Sequence, residues 1–310
     1  MNQLTHFKRT SILPLLVALA FFAVAAAGSA RAGMSDFNGD GHPDYVLYNR
    51  FTRQTKIWYL NINVKIAGRY GPTISAGWSL VDVADFDGDG HPDYVLQNVN
   101  THRTAIWYLN NNVFTHGVSG PTLPSGWFLG AVGDFNGDGK PDYLLYRQVG
   151  SNFATAIWYM NNHVHVASAS GPTLPNGWLL RGVEDFNGDG KPDFLLYNAL
   201  YVLGAENNNR TKIWYLNNNV KIVGRYGPTV PAGWSVVDVA DFDGDGHPDY
   251  VLQNFDTHQT AIWYLNNDVF TDGASGPTLP PASTSSQLSW DLVGPSAGGI
   301  VTVCAGCYDY

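Results

Sequence analysis

The sequence is poor in charge, in cysteine and in helical pattern. Only 14% of its 310 residues are Asp, Glu, Lys or Arg. Two cysteines cannot make a disulfide scaffold. Basic residues are outnumbered, with 17 Lys+Arg against 26 Asp+Glu, which argues against a nucleic-acid binder. Gly and Pro punctuate the chain so often that no apolar stripe of helical period persists. No Gly-x-Ser-x-Gly elbow, phosphate loop or dinucleotide fingerprint occurs. What is abundant points one way. There are 34 Gly, 17 Pro and 10 Trp, and 45% of residues are hydrophobic. That profile excludes a disordered chain and suits short strands joined by tight turns, an all-β protein.

Residues 1–32 read as an export signal. Lys8 and Arg9 precede an apolar stretch from Ile12 to Gly28, and Ala30-Arg31-Ala32 supplies a small–x–small cleavage pattern. Cleavage after Ala32 is expected; an uncleaved membrane anchor is the alternative. No later run is long enough to span a bilayer, so a secreted, periplasmic or cell-surface protein is expected. Loss of 1–32 removes three cations and no acid, leaving a net charge of −12 with His neutral.

Internal repetition sets the expected architecture. The nonapeptide Asp36-Phe-Asn-Gly-Asp-Gly-His-Pro-Asp44 has equivalents starting at Asp85, Asp134, Asp185 and Asp241, at spacings of 49, 49, 51 and 56. After each comes an apolar run, then an Ile-Trp-Tyr-(Leu/Met)-Asn run, then a further run leading to Gly-Pro-Thr and Gly-Trp. Four short runs per ~50 residues define the blade of a β-propeller. Residues 55–117 and 211–273 align without gaps with 53 of 63 identical, so blades 1–2 and 4–5 descend from a block duplication. Repeated surfaces favour multivalent binding over a single cleft.

The tryptophans locate the closure. Trp58, Trp107, Trp158, Trp214 and Trp263 sit in the Ile-Trp-Tyr runs, where apolar residues on both strand sides point to packing between blades. Trp78, Trp127, Trp178, Trp234 and Trp290 start the strand before a nonapeptide; Trp290 has no nonapeptide after it, and the first nonapeptide has no such strand before it. Leu288–Val293 is therefore expected to supply the innermost strand of blade 1. This closes a five-bladed ring over residues 33–294 and leaves a tail at 295–310. A degenerate sixth blade from 288–310 is the alternative.

Each nonapeptide reads as a cation loop. Positions 1, 3, 5 and 9 carry side-chain oxygens and position 7 a backbone carbonyl, a hard-oxygen set suited to Ca²⁺. The expected ligands are Asp36, Asn38, Asp40, His42 and Asp44; Asp85, Asp87, Asp89, His91 and Asp93; Asp134, Asn136, Asp138, Lys140 and Asp142; Asp185, Asn187, Asp189, Lys191 and Asp193; and Asp241, Asp243, Asp245, His247 and Asp249, with His or Lys contributing its carbonyl. Glycines at positions 4 and 6 permit the turns, and Phe at position 2 points into the packing between blades. A turn whose Asp and Asn merely cap backbone groups is the alternative. Position 12 is Leu in every copy, which excludes an EF-hand. The loops hold 17 of the 26 acids, and five Ca²⁺ would bring the mature charge from −12 to −2. Loops with Asp87 and Asp243 are expected to bind more tightly than those with Asn at position 3.

These loops and blades resemble the FG-GAP/VCBS repeats of integrin-α-like propellers, over residues 36 to about 293. The resemblance implies Ca²⁺ at the turn joining the first and second strands, on one face of the disc. It implies adhesion or recognition of glycans or proteins mainly from the opposite face. Such propellers usually have seven blades, whereas five are expected here.

Candidate ligand contacts on that opposite face are Arg69, Tyr70, His102, Arg103, Arg225, Tyr226 and His258, with Arg53 and Arg147 also in its turns. Arg69-Tyr70 and Arg225-Tyr226 each set an aromatic beside a cation. Most carboxylates are committed to the loops, and His163 and His165 lack a carboxylate or Cys nearby, so catalysis finds little support. Cys304 and Cys307 are expected to form a short-loop disulfide, since an exported chain meets oxidising conditions. The expected function is non-catalytic, lectin-like or adhesive recognition. A calcium-dependent polysaccharide-degrading enzyme and a purely structural surface protein are the alternatives.

Overall fold

Wherever β-branched and aromatic residues run between the Gly, Pro and Asn turns, the chain extends into strand. The computed structural model describes residues 35–198, 209–280 and 290–293. Blade 1 contains β1 (Tyr45–Tyr48), β2 (Thr55–Asn61) and β3 (Val64–Tyr70). Blade 2 contains β4 (Ser79–Ala84), β5 (Asp93–Asn98), β6 (Arg103–Asn110) and β7 (Val113–Thr122). Blade 3 contains β8 (Phe128–Gly133), β9 (Asp142–Val149), β10 (Asn152–Asn161) and β11 (Val164–Ser170). Blade 4 contains β12 (Trp178–Glu184), β13 (Asp193–Asn198), β14 (Arg210–Asn217) and β15 (Val220–Thr229). Blade 5 contains β16 (Trp234–Ala240), β17 (Asp249–Asn254), β18 (Thr260–Asn266) and β19 (Val269–Ser275).

The last described strand, β20 (Asp291–Val293), pairs with β1 in the register Val46↔Val293, Leu47↔Leu292 and Tyr48↔Asp291. It completes the sheet β20-β1-β2-β3, so all five blades are four-stranded and antiparallel. Inner strands touch in ring order, β4 to β8 to β12 to β16 to β20 and back to β4. The closure expected from Trp290 is therefore observed. Arg50 reinforces it with an ion pair to Asp291 at 2.8 Å. The export segment and the whole tail at 295–310, with Cys304 and Cys307, lie outside the described residues.

The core is a set of layers between blades. The position-2 phenylalanines Phe37, Phe86, Phe135, Phe186 and Phe242 are all buried. Each meets an aromatic of the next blade edge-on, at 6.0–6.4 Å: Tyr94, Tyr143, Phe194, Tyr250 and finally Tyr45. The fifth pair, Phe242 with Tyr45, joins blade 5 to blade 1. Such pairs contribute about 0.5–1.5 kcal/mol each beyond the area they bury.

Polar clips pin neighbouring blades. Asp82, fully buried on β4, accepts hydrogen bonds from Val83 N and from Val132 N of blade 3, both at 2.8 Å. Gln97 Oε1 accepts from Leu129 N across the same interface at 3.0 Å. Burial holds the Asp82 carboxyl well above the usual carboxylate range, against the two N–H bonds. Asp82 and its duplicate Asp238 were not singled out in the sequence; the signal was an Asp interrupting an apolar run at the same place in both blocks.

Candidate functional site

The five nonapeptides fold alike because two glycines permit it. Positions 4 and 6 have φ between +73° and +93° in all five loops, a region costly for residues with a Cβ. The chain curls around the first Asp, whose carboxylate accepts backbone N–H bonds of 2.7–2.9 Å from positions 4 and 6, for example Gly39 and Gly41 on Asp36. The position-3 oxygen accepts from the N–H of position 5, and position 5 from that of position 7. Side chains 1, 3 and 5 thus turn toward one centre.

Position 9 is the fixed wall. Asp44, Asp93, Asp142, Asp193 and Asp249 are buried. Each accepts one N–H from position 2 and one from the third strand of its blade, at 2.8–3.1 Å; Asp44 takes Phe37 N and Leu60 N. Burial pushes Asp44 and Asp142 up to about 7 and Asp93, Asp193 and Asp249 up to about 8, opposed by those N–H bonds and aided by the neighbouring loop acids.

Three of the position-7 side chains find partners outside their own loop. Lys140 bonds Asn161, Lys191 bonds Asn217, and His91 Nδ1 lies 3.2 Å from Phe37 O of the preceding loop.

The loops differ at position 3. Carboxylate oxygens of Asp85, Asp87 and Asp89 lie within 4.8 Å of one another, as do those of Asp241, Asp243 and Asp249. In the other three loops Asn38, Asn136 and Asn187 donate an amide N–H to the position-5 carboxylate at 3.0–3.3 Å. Three-carboxylate groups are thus found in two loops among the described residues, while the remaining loops offer an amide oxygen in the third place. The donors are all hard oxygens, which fits a divalent cation such as Ca²⁺.

The candidate ligand residues do not all lie on the face opposite the loops, and strand alternation separates the adjacent pairs. Arg69 pairs with Ile57 and Tyr70 with Lys56, so the adjacent Arg and Tyr face opposite sides of the sheet. Arg225 and Tyr226 divide likewise, opposite Ile213 and Lys212. Arg225 lines a 740 Å³ groove between blades 4 and 5 on the loop side, with Asn187, Asp189, Tyr215 and Asp268. Tyr70 and Tyr226 are exposed. Arg53, His102 and His258 occupy one turn position at φ +56° to +61°, where their carbonyls accept from Ile74, Leu123 and Leu279. Arg103 is exposed beside His102. His165 stacks on Trp158 at 4.1 Å and contacts Ser168, on a different strand position from the turn residue His163.

The tryptophans of the Ile-Trp-Tyr runs all pack against core clusters, as expected: Trp58 and Trp214 are buried at 3% and 5%, and Trp107, Trp158 and Trp263 are partly buried.

A closed ring of five four-stranded blades, each opening with an oxygen-rich loop, defines a repeat β-propeller. The FG-GAP-like repeat family matches residues 36–96, 85–145 and 185–252, more than half of the chain, and the protein belongs to that family. Comparison with curated proteins finds no match. Among solved structures, a Photorhabdus luminescens Tc holotoxin pore chain is 17% identical at a TM-score of 0.44, over 82% of this chain and 12% of its own length. The Dos1 propeller is 9% identical at 0.39, over 74% and 67%. Kluyveromyces lactis Hsv2 is 12% identical at 0.32, over 75% and 63%. The chain thus spans a small fraction of the toxin chain it matches. Likeness at this level carries no functional content.

Proposed function

We propose that the protein is an exported, calcium-bound propeller, residues 33–294, that acts as a non-catalytic recognition module for glycan or extracellular protein ligands. Residues 1–32 are removed on export. Five Ca²⁺ ions sit one per blade, held by positions 1, 3, 5 and 9 and the position-7 carbonyl. The ion neutralises acids that otherwise repel within each loop and keeps the buried position-9 carboxylate ionised. That fastens the turn between first and second strands and leaves the opposite face, with its repeated turns, to meet a ligand. The observation that carries this reading is the common loop geometry in all five blades, with carboxylates gathered within 4.8 Å in two of them. Duplication presents similar surfaces on blades 1–2 and 4–5, which favours avidity for repetitive ligands.

A glycan array probed with the mature protein, with and without chelator, tests the reading. Calcium-dependent binding to a defined glycan set is the expected result. Absence of glycan binding, with capture of a single extracellular protein instead, would assign the adhesive form; sugar release from a polymer would overturn the non-catalytic assignment.

A further inference from the structure

On the face opposite the loops, the blades treat the same position in two ways. In blade 1 the Lys56 ammonium lies 5.1 Å from the Tyr70 ring, 5.9 Å from Trp58 and 6.0 Å from Trp290. In blade 4 the Lys212 ammonium lies 4.5 Å from Tyr226 and 5.0 Å from Trp178. In blade 3 the Arg147 guanidinium lies 4.9 Å from Trp127. Three blades therefore set a cation of their own over the tryptophan that starts the inner strand. The attraction is that of positive charge for the negative face of an aromatic ring.

Blade 5 keeps the two tryptophans and lacks both the lysine and the tyrosine. The lysine position is Ala261, and its cross-strand partner is Ser275 in place of tyrosine. A cavity of about 450 Å³ remains, lined by Trp234, Ala261, Trp263, Phe270, Ser275 and Gln259. Phe270 stands edge-on to Trp263 at 5.0 Å and walls the outer side. Gly273 pairs with Trp263, and a Cβ there would come within 3.0 Å of the indole, so the ring lies flat on bare backbone. Ala261 and Asn254 stand where blade 4 has Lys212 and blade 3 has Arg147, so neither of those two cation contacts recurs at Trp234. The volume is in the range of small-molecule sites.

We propose that this groove binds an ammonium group carried on a short alkyl chain, in the place that Lys56 and Lys212 fill in their own blades. Trp234 and Trp263 supply the aromatic faces, and Gln259 and Ser275 supply hydrogen-bonding groups at the rim. The ammonium comes either from a free quaternary amine or from a lysine side chain of a partner. Blade 2 repeats the framework with Trp78, Ala105, Trp107, Phe114 and Ser119, but carries Arg103 where blade 5 has Gln259, so blade 5 is the stronger site.

The test uses the full mature chain in calcium buffer, with tryptophan fluorescence and calorimetry as readouts. Choline and N-acetyl-lysine amide are the probes, and 3,3-dimethyl-1-butanol is the uncharged counterpart of choline. Saturable binding of either ammonium, with at least tenfold weaker binding of the alcohol, is the expected result; the ammonium that binds identifies the source. Ala261→Lys should weaken binding at least tenfold at an unchanged melting temperature, and Ser275→Tyr should do the same by narrowing the groove. Equal binding of the alcohol, no binding of either ammonium, or binding indifferent to both substitutions would overturn the proposal. Failure of the glycan array leaves these outcomes unaffected, since they are read on a different ligand.

Discussion

Blades 1 and 4 share their backbone with blades 2 and 5, yet the two pairs fill it differently. At loop position 3, blades 1 and 4 carry Asn38 and Asn187, whose amides bond the neighbouring carboxylate. Blades 2 and 5 carry Asp87 and Asp243, which lie among other carboxylates. On the opposite face, blades 1 and 4 pair Lys with Tyr across β2–β3 and β14–β15, and Trp58 and Trp214 are buried. Blades 2 and 5 pair Ala with Ser, and the equivalent Trp107 and Trp263 are only partly buried. Gly and Pro turns fix the frame in both pairs. A handful of facing residues then decides what each blade holds, and the duplication copied both decisions together.

The largest effect should come from removing calcium. A site held at a hundredfold above its Kd contributes about 2.7 kcal/mol to stability, so chelation across several blades should lower the melting temperature well beyond the effect of any single substitution. Calorimetry should resolve two tight sites and three weaker ones, matching Asp and Asn at position 3. Asp87→Asn together with Asp243→Asn should merge them into one class, with affinity falling about tenfold at the altered loops. Five equal sites in the unaltered protein would break the comparison on its loop side, and an unchanged melting curve in chelator would remove the calcium reading altogether.

Next in size is the loss of a blade clip. Asp82→Ala leaves Val83 N and Val132 N without their acceptor, and should cost about 2–4 kcal/mol, seen as an earlier urea midpoint. Asp238→Ala should behave alike, since Asp238 accepts from Val239 N at 2.7 Å. The equivalent positions of blades 3 and 4 are Ala131 and Gly182. At Gly182 a Cβ would come within 2.4 Å of Val239 Cγ2, so blade 4 has no room for a carboxylate there. A neutral Asp82→Ala variant would show that interblade packing alone sets the ring.

The parts of this molecule legible in the sequence are those that repeat. Five nonapeptides marked five turns, and unmatched Trp290 marked the closing strand, because absence in a periodic pattern is itself a signal. Phe37 and its equivalents read correctly as interblade packing, since each follows a loop Asp that must face the other way. Facing pairs were not legible. Arg69 and Tyr70 look like one cation–aromatic unit in sequence, but the strand puts them on opposite sides, and the cation over Tyr70 is Lys56, fourteen residues earlier and across a register set by the β2–β3 turn. The same limit hid Asp82, whose second partner belongs to the next blade. That the Ile-Trp-Tyr tryptophans pack between blades was legible; how deeply each is buried was not, because an apolar run cannot say whether a lysine will lie over the ring.

The smallest expected effect converts one kind of blade into the other. Lys212→Ala with Tyr226→Ser gives blade 4 the Ala–Ser pair of blade 5; Arg210 remains where blade 5 has Gln259, and Lys221 remains with its ammonium 4.0 Å from the Trp214 ring. Loss of the Lys212 contacts should cost about 0.5–2 kcal/mol, since the pair lies on a partly exposed face. Tryptophan fluorescence should become more accessible to acrylamide, because Trp178 loses its cover. If the groove of blade 5 owes its opening only to Ala261 and Ser275, the converted blade 4 should gain weak choline binding that the parent blade lacks. If it gains none, two remaining differences count: Arg210 stands where blade 5 has Gln259, and Lys221 lies on Trp214 where Phe270 walls Trp263. Adding Arg210→Gln and Lys221→Phe separately distinguishes them, since the first removes a competing cation at the rim and the second supplies the missing wall.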